Sequence, residues 1–277
     1  MNNKNRIENK LTEFPESMRV PETVYIGTGT AAYFSARSPD KETANEDALA
    51  MISIDDITSV LIVADGLGGQ PAGEEASQIV INCLLETLEL ISGDRARIRE
   101  AILDGIERAN NELLASGNGS ATTVVVAEIQ GKMLRTYHAG DSMILLVGNK
   151  GRVKYSIIPH SPTGYALEAG FIDESEAMLH EERHFISNFI GSPEMRLEIG
   201  PQIEMSSRDT LILASDGLSD NLYEDEIVEL SRKGPLKKCA RNLIASASKY
   251  MLEEATDRQQ HPDDLTFILY RPGAVSG

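Results

Sequence analysis

Between residues 121 and 158 four apolar stretches, 121–129, 133–138, 143–147 and 153–158, follow one another with only turn chemistry between them. The joints are Gln130-Gly131-Lys132, Gly140-Asp141-Ser142 and the segment 148–151, all glycine-bearing and at hairpin spacing. Further strands are expected at 25–36, 48–54, 59–64, 196–199, 210–215 and 265–270. Helical spacing is confined to separate blocks. In 73–91 the residues Ala76, Ile79, Val80, Cys83, Leu84, Leu88 and Ile91 recur on one face. Asp94 caps a second helix through Leu114, with Ile98, Ile102, Ile106 and Leu113 as its stripe. Two more helices are expected at 224–232 and 235–252. Hairpin-linked strands with segregated helices indicate α+β layers rather than a βαβ repeat.

The 277 residues contain no Pro/Ser-rich linker, so one domain is expected over 21–277, after a loose N-terminal tail at 1–20. Residues 159–191 read as an irregular insertion, with Asp173 and Glu176 placed as a capping box for a short helix. Charge narrows the function. Against 26 Lys+Arg stand 43 Asp+Glu, a formal net of −17, which repels nucleic-acid backbones and anionic membrane surfaces alike. No apolar run approaches the roughly 20 residues that span a bilayer. Cys83 and Cys239 are too few for a disulfide framework or a thiolate zinc site, so a cytoplasmic location is expected.

Two strings imitate known sites. Gly27-Thr28-Gly29-Thr30-Ala31-Ala32 fits the dinucleotide pattern G-x-G-x-x-A, but Tyr33-Phe34-Ser35 continues as a strand where that pattern needs a helix. His180-Glu181-Glu182-Arg183-His184 spells the zinc-hydrolase pattern H-E-x-x-H, yet residues 185–191 look extended just where the second ligand needs a helix. No G-x-S-x-G nucleophile elbow is present.

The informative pattern is a set of acids that bound apolar strands beside small residues. Val63-Ala64-Asp65-Gly66 and Ala214-Ser215-Asp216-Gly217 share one form, and His138-Ala139-Gly140-Asp141-Ser142 is a third case. Pro262-Asp263-Asp264-Leu265-Thr266 and Asn45-Glu46-Asp47 start strands. Any one Asp-Gly is most simply a tight turn. Five such sites can converge at one end of a sheet, where their oxygens suit hard dications such as Mg²⁺ and Mn²⁺. Without cations such carboxylates repel one another and rise in pKa. Two metals about 3.5–4 Å apart can ionise a shared water for attack on phosphorus.

At this point the chain resembles a known family. The segment Asp65-Gly66-Leu67-Gly68-Gly69-Gln70-Pro71-Ala72-Gly73-Glu74-Glu75-Ala76-Ser77 is similar to the signature of the metal-dependent, type 2C protein Ser/Thr phosphatases, the PPM family in its bacterial form. Asn45-Glu46-Asp47-Ala48, Gly119-Ser120-Ala121-Thr122-Thr123, Gly140-Asp141-Ser142, Ala214-Ser215-Asp216-Gly217 and Asp263-Asp264-Leu265-Thr266 follow in the family's order, from about residue 25 to 271. Residues 168–172 through 190–191 resemble its flap, which would absorb the H-E-x-x-H string.

The resemblance implies a four-layer α-β-β-α sandwich, two antiparallel sheets flanked by helices, with Mg²⁺ or Mn²⁺ at one end. It implies that Asp65 bridges two metals and that the Gly66 carbonyl joins the second. Asp216 and Asp263 would hold the first, Glu46 would help through water, and Asp141 with Asp216 would take a third, weaker metal. The implied activity is hydrolysis of phosphoserine and phosphothreonine in protein substrates of a Ser/Thr kinase, by in-line attack of metal-bound hydroxide. Departures are local. Arg37, expected to bind phosphate, lies eight residues before Asn45, further than the family usually places it. Met143 and Asp264 stand where Arg and Asn are commoner, and Ser187-Asn188 replaces a Thr-Arg pair. Leu67 replaces a histidine acid of eukaryotic members, so metal-bound water becomes the expected proton donor, with His138 and His160 as lesser candidates. The alternatives are a pseudophosphatase acting as a regulatory binding module on the same fold, and a zinc hydrolase through His180 and His184.

Overall fold

Alternation along residues 47–67 sets the architecture. Leu49, Met51, Leu61 and Val63 enter one buried cluster, while Ala48, Ala50, Ile52, Val60, Ile62 and Ala64 enter another on the opposite face. A sheet covered on both faces reads as a continuous apolar run rather than an alternating one. In the computed structural model, which describes residues 10–13, 17–39, 41–67, 72–91, 93–253 and 260–273, that run forms the centre of the first of two antiparallel sheets.

The strands, in chain order, are β1 (Lys10–Glu13), β2 (Glu22–Ile26), β3 (Gly29–Ala36), β4 (Asp47–Asp55), β5 (Thr58–Leu67), β6 (Ala121–Thr122), β7 (Val124–Gln130), β8 (Met133–Ala139), β9 (Met143–Val147), β10 (Val153–Ser156), β11 (Glu198–Ile199), β12 (Ile203–Glu204), β13 (Thr210–Ala214) and β14 (Leu265–Pro272). The helices are α1 (Ala72–Leu90), α2 (Ile98–Ser116), α3 (Pro162–Glu168), α4 (Glu174–Met178), α5 (Asp216–Ser219), α6 (Glu224–Ser231) and α7 (Leu236–Leu252). One sheet runs β1-β4-β5-β7-β8-β11, and the other β10-β9-β13-β14-β3-β2.

Three apolar layers hold the fold. Helices α1 and α2 cover the outer face of the first sheet through Val80, Leu84, Leu88, Ile102 and Ile106. Between the sheets lie Leu49, Met51, Leu61 and Val63 against Ile144, Leu146, Leu211, Leu213 and Ile268. On the far side Ile212, Phe267 and Leu269 pack beneath Ile227, Leu236, Ala240 and Leu243 of α6 and α7. The four-layer α-β-β-α expectation is therefore met. The helical stripes are met too: Ala76, Val80, Cys83, Leu84 and Leu88 of α1 and Ile98, Ile102, Ile106 and Leu113 of α2 are buried. Gly105 lets the two helices close up, since a Cβ there would strike Leu84.

Three readings change. The expected strand 25–36 is two strands joined by a turn at Gly27-Thr28, with Gly27 at a φ of 52°, so the G-x-G-x-x-A string is a hairpin. Part of the expected loose tail is ordered: Lys10–Glu13 adds an edge strand to β4 (Lys10 opposite Ile52, Glu13 opposite Leu49), and Ser17 bridges to Ala36. Apolar Leu11 packs on the inter-sheet core, which accounts for the pairing. The rest of that tail, at 1–9 and 14–16, and residues 68–71 of the signature segment lie outside the described residues. Asp94 caps a short 3-10 turn at Arg95–Arg97, from which α2 continues. In the insertion, Asp173 and Glu176 form the expected capping box at the start of α4. No helix among the described residues is long and apolar enough to cross a membrane.

Candidate active site

Strand pairing delivers acids from both sheets to one end of the sandwich. Register places Asp47, first in β4, directly opposite Asp65 near the end of β5. Behind them a hydrogen bond crosses between the sheets, from Ser215 Oγ to Asp47 Oδ2 at 2.7 Å. Asp216 follows at once and opens α5. The loop before β14 adds Asp263 and Asp264, and the turn between β8 and β9 adds Asp141.

Backbone contacts and close glycine packing fix the segments that carry these acids. The Asp65 carbonyl accepts Thr123 N at 2.8 Å and Thr122 Oγ1 at 2.7 Å, and Gly66 N donates to the Glu46 carbonyl. Gly66 is obligatory on steric grounds, because a Cβ would drive into the carbonyls of Gly73 and Glu46. Gly140 sits at a φ of 115°, and any side chain there would meet Thr123. Thr123 Oγ1 and Ser142 Oγ lie 2.6 Å apart, pinning the Asp141 turn to the start of β7. Gly217 packs against the Asp264 carbonyl in the same way.

With the backbone satisfied, the carboxylates face one another. Burial first, then the charges of Asp47, Asp263 and Asp141, hold the Asp65 carboxyl well above the usual range, although a hydrogen bond with Asp216 pulls the other way. Asp216 is raised by burial and then by Asp65, Asp263, Asp220 and Asp141. Burial and Asp264 push Asp47 to about 8, burial and Asp220 push Asp141 to about 7, and burial raises Asp263 to about 6. The sequence-picked acids Asp65, Asp141, Asp216 and Asp263, together with Asp47, thus form one electrostatic cluster, and Glu46 adjoins it through the bond from Gly66 N to its carbonyl.

The donor set fits hard dications. Its ligand atoms are all oxygens, and Glu46 Oε1, Asp47 Oδ1 and Asp141 Oδ1 are buried without a hydrogen-bond partner. Such orphaned acceptors beside mutually repelling carboxylates are stabilised by a cation.

One internal cation is already present, and sequence reading passed over it. Lys41 Nζ lies 2.6 Å from both Glu46 Oε2 and Asp264 Oδ2. Burial pulls its pKa down, but bonds to Asp264 and Glu46 together with their charges lift it to about 12. Asp264 also accepts the backbone N–H of Ser38 and Glu46, each at 2.7 Å. An aspartate at this position, where Asn is the commoner residue, is therefore matched by Lys41. Its signal was available: a lone Lys in the loop leading to Asn45-Glu46-Asp47. Arg37 is exposed, and no hydrogen bond or ion pair holds its side chain among the described residues, although the Ser38 backbone beside it touches Asp264.

The weaker candidates take structural places. His138 and His160 stack with centroids 4.4 Å apart behind Gly140, whose N–H donates to His160 Nδ1. Burial and His160 lower His138 to about 4. Asn188 of the flap ties His160 Nδ1 to the backbone of Arg196, so the Ser187-Asn188 departure buttresses that wall. Residues 181–184 form successive turns rather than a helix, and His180 Nδ1 accepts from Glu182 N, which removes the H-E-x-x-H geometry. Met143 packs at the edge of the outer core and lines a cavity of about 420 Å³ between the acids and the flap. Asp141, Asp216 and Asp220 line that cavity together with Leu167, Glu174 and Met178.

Comparison with known proteins agrees with this geometry. A family model described as protein phosphatase 2C matches residues 37–259. The serine/threonine phosphatase stp of Listeria monocytogenes is 29% identical over 218 residues, covering 74% of this chain and 85% of that protein. Among solved structures, the serine/threonine phosphatase Stp1 from Staphylococcus aureus superposes with a TM-score of 0.73 at 25% identity, covering 92% of this chain and 100% of that one. The catalytic domain of the phosphatase PstP in complex with two manganese ions gives 0.66 at 25% identity, covering 87% and 96%. No acid of the set is missing here, so the binding-module alternative finds no support. By the span of that match, the chain belongs to the protein phosphatase 2C family of metal-dependent phosphoprotein phosphatases.

Proposed function

We propose that Asp65, with Asp216, Asp263 and (through water) Glu46 on one side and the Gly66 carbonyl on the other, would hold two Mg²⁺ or Mn²⁺ ions, and that Asp141 with Asp216 would offer a third, weaker position. The observation that carries this reading is the convergence of buried, mutually repelling carboxyls of raised pKa from both sheets, with acceptor oxygens left unpaired among them. Such ions supply Lewis acidity, neutralising phosphoryl oxygens and acidifying water. The two ions in the PstP complex support the count.

The chain's own groups set up the rest. Thr122 and Thr123 fix the Asp65 backbone, and Ser215 fixes Asp47, so the carboxylates are oriented before substrate arrives. Lys41 places one positive charge between two of the surrounding carboxylates. Arg37, exposed at the end of β3, is free to swing toward a phosphoryl oxygen as a bidentate donor. The adjoining cavity receives the peptide around the phosphorylated side chain. Its carboxylates Glu168, Glu174 and Glu224 favour basic residues there. Phosphoserine and phosphothreonine proteins, made by a Ser/Thr kinase, are the proposed substrates. Two free cysteines support a cytoplasmic setting.

Phosphate release from phosphothreonine and phosphotyrosine peptides, with Mg²⁺ or Mn²⁺ titrated, tests the reading. Turnover of the phosphothreonine peptide is expected, with loss under a chelator and a fall of at least about 100-fold in Asp216→Asn. Activity that survives chelation, or an Asp216→Asn enzyme as fast as the parent, would overturn it.

A further inference from the structure

The net charge of −17 is not spread evenly over the chain. At the end of the second sheet away from the acid centre three segments come together: the turn from β9 into β10 (148–154), the end of β12 with the turn after it (204–209), and the end of α6 with the start of α7 (229–241). They touch directly. Arg232 Nη1 donates to the Asn149 carbonyl at 3.0 Å, and Lys154 Nζ lies 2.5 Å from Asp209 Oδ2. Arg271, near the end of β14, bonds Thr210 Oγ1 and the carbonyls of Ser231 and Gly234. With Arg271, these segments carry ten of the chain's 26 Lys and Arg but only three of its 43 Asp and Glu, a local +7 on a molecule whose remainder carries −24.

Three observations give this face a role of its own. First, two of its three acids are already occupied, Asp209 by Lys154 and Glu229 by the Arg232 guanidinium at 2.7 and 2.8 Å. Lys150, Arg152 and Arg208 on the turns, and Lys233, Lys238 and Arg241 beside them, are exposed, and no hydrogen bond or ion pair holds their side chains among the described residues. Second, Lys237 and Lys238 occupy the first turn of α7, the positive end of the helix dipole, where cations are unfavourable. Helix α6 keeps the ordinary rule, with Glu224, Asp225 and Glu226 in its first turn. A local arrangement that opposes folding is expected where a ligand offsets it. Third, β13 carries the chain from Asp209 in this face to Asp216 in the acid centre, roughly 20 Å at about 3.3 Å per residue. That exceeds the Debye length of about 8–10 Å, so these cations do not serve as counter-charge to the acid centre.

The surrounding charge selects the occupant. A nucleic acid or a lipid surface extends past the face onto the acidic remainder, which repels it. A short run of carboxylates fits within the face and feels mainly its positive charge. We propose that the face built on the β9–β10 turn and the α6–α7 junction docks a short Asp/Glu-rich segment of a protein partner, leaving the acid centre open at the other end.

Fluorescence anisotropy of a labelled decaglutamate peptide, titrated with the full chain in Mg²⁺, tests this. Saturable binding that weakens as NaCl is raised is expected, with affinity reduced at least about tenfold in Lys237→Glu/Lys238→Glu and in Lys150→Glu/Arg152→Glu. The two pairs lie on different segments and outside the three apolar clusters, and unchanged melting temperatures verify that the fold is kept. Arg95→Glu/Arg99→Glu, exposed at the start of α2 in the opposite layer, is expected to bind as the parent does. No binding by the parent, undiminished binding by both patch variants, or an equal loss in Arg95→Glu/Arg99→Glu would overturn the proposal. So would an oligothymidylate of matched charge, or phosphatidylserine vesicles, bound as tightly as the peptide, since either marks a surface for polyanions at large. Dephosphorylation of a phosphothreonine peptide reads the acid centre and anisotropy reads the basic face, so the two readings fail separately.

Discussion

Replacing Lys41 by Met removes the one ammonium inside the acid cluster among the described residues. Its Nζ makes two charge-assisted contacts of 2.6 Å, to partners whose side chains are 14% and 3% exposed, and is itself 20% exposed. Hydrogen bonds to charged groups contribute about 1.5–3 kcal/mol each, and immobilising the lysine costs about 2 kcal/mol. Asp264 keeps its bonds from Ser38 and Glu46 N–H, so it is not left wholly unpaired. The net expected loss is about 2 kcal/mol in protein stripped of divalent ions, or about 4–8 °C in melting temperature for a chain of this size. Because the raised lysine pKa of about 12 lies above its unfolded value, this stabilisation is fully present below about pH 10 and is lost only in strong alkali. The assay is thermal and urea unfolding of Lys41→Met, Asp264→Asn and the double variant. Asp264→Asn is expected to offset part of the loss, with a coupling of about 1–2 kcal/mol. Additivity within about 0.5 kcal/mol would refute the claim that Lys41 and Asp264 are a matched pair.

Other consequences are independent of that pair. In chelated protein the raised pKa values of Asp263, Asp141 and Asp47, about 6, 7 and 8, mean that the folded state holds protons the unfolded state has released. Stability should therefore fall as pH rises from about 5 to about 8, and saturating Mg²⁺ should flatten that slope; fluorimetric melting curves that rise with pH in the chelated protein would contradict it. Gly66→Ala forces a Cβ into two backbone carbonyls and should cost about 3 kcal/mol or more, read as a lower urea midpoint with unchanged m-value. Arg183→Met removes a buried guanidinium that bonds Met178 O, Asp220 O and Asp220 Oδ2. It should destabilise by about 3 kcal/mol and speed proteolysis within 165–185, while equal cleavage rates would argue that the flap is held by other contacts.

What the sequence by itself determined was local and periodic. Alternation and hairpin spacing located β4, β5, β7 to β9, β13 and β14, and helical spacing located α1, α2, α6 and α7, because each pattern is written in consecutive residues. The acids were legible for the same reason: each marks the end of an apolar run. Tertiary structure alone decided who faces whom. Lys10–Glu13 became a strand through an edge offered by β4, Lys41 became the counter-charge of an aspartate 223 positions away, and His184 met His261 across the flap. Those pairings depend on how two sheets register and pack. That is a property of surfaces brought together in space, which no window along the chain contains.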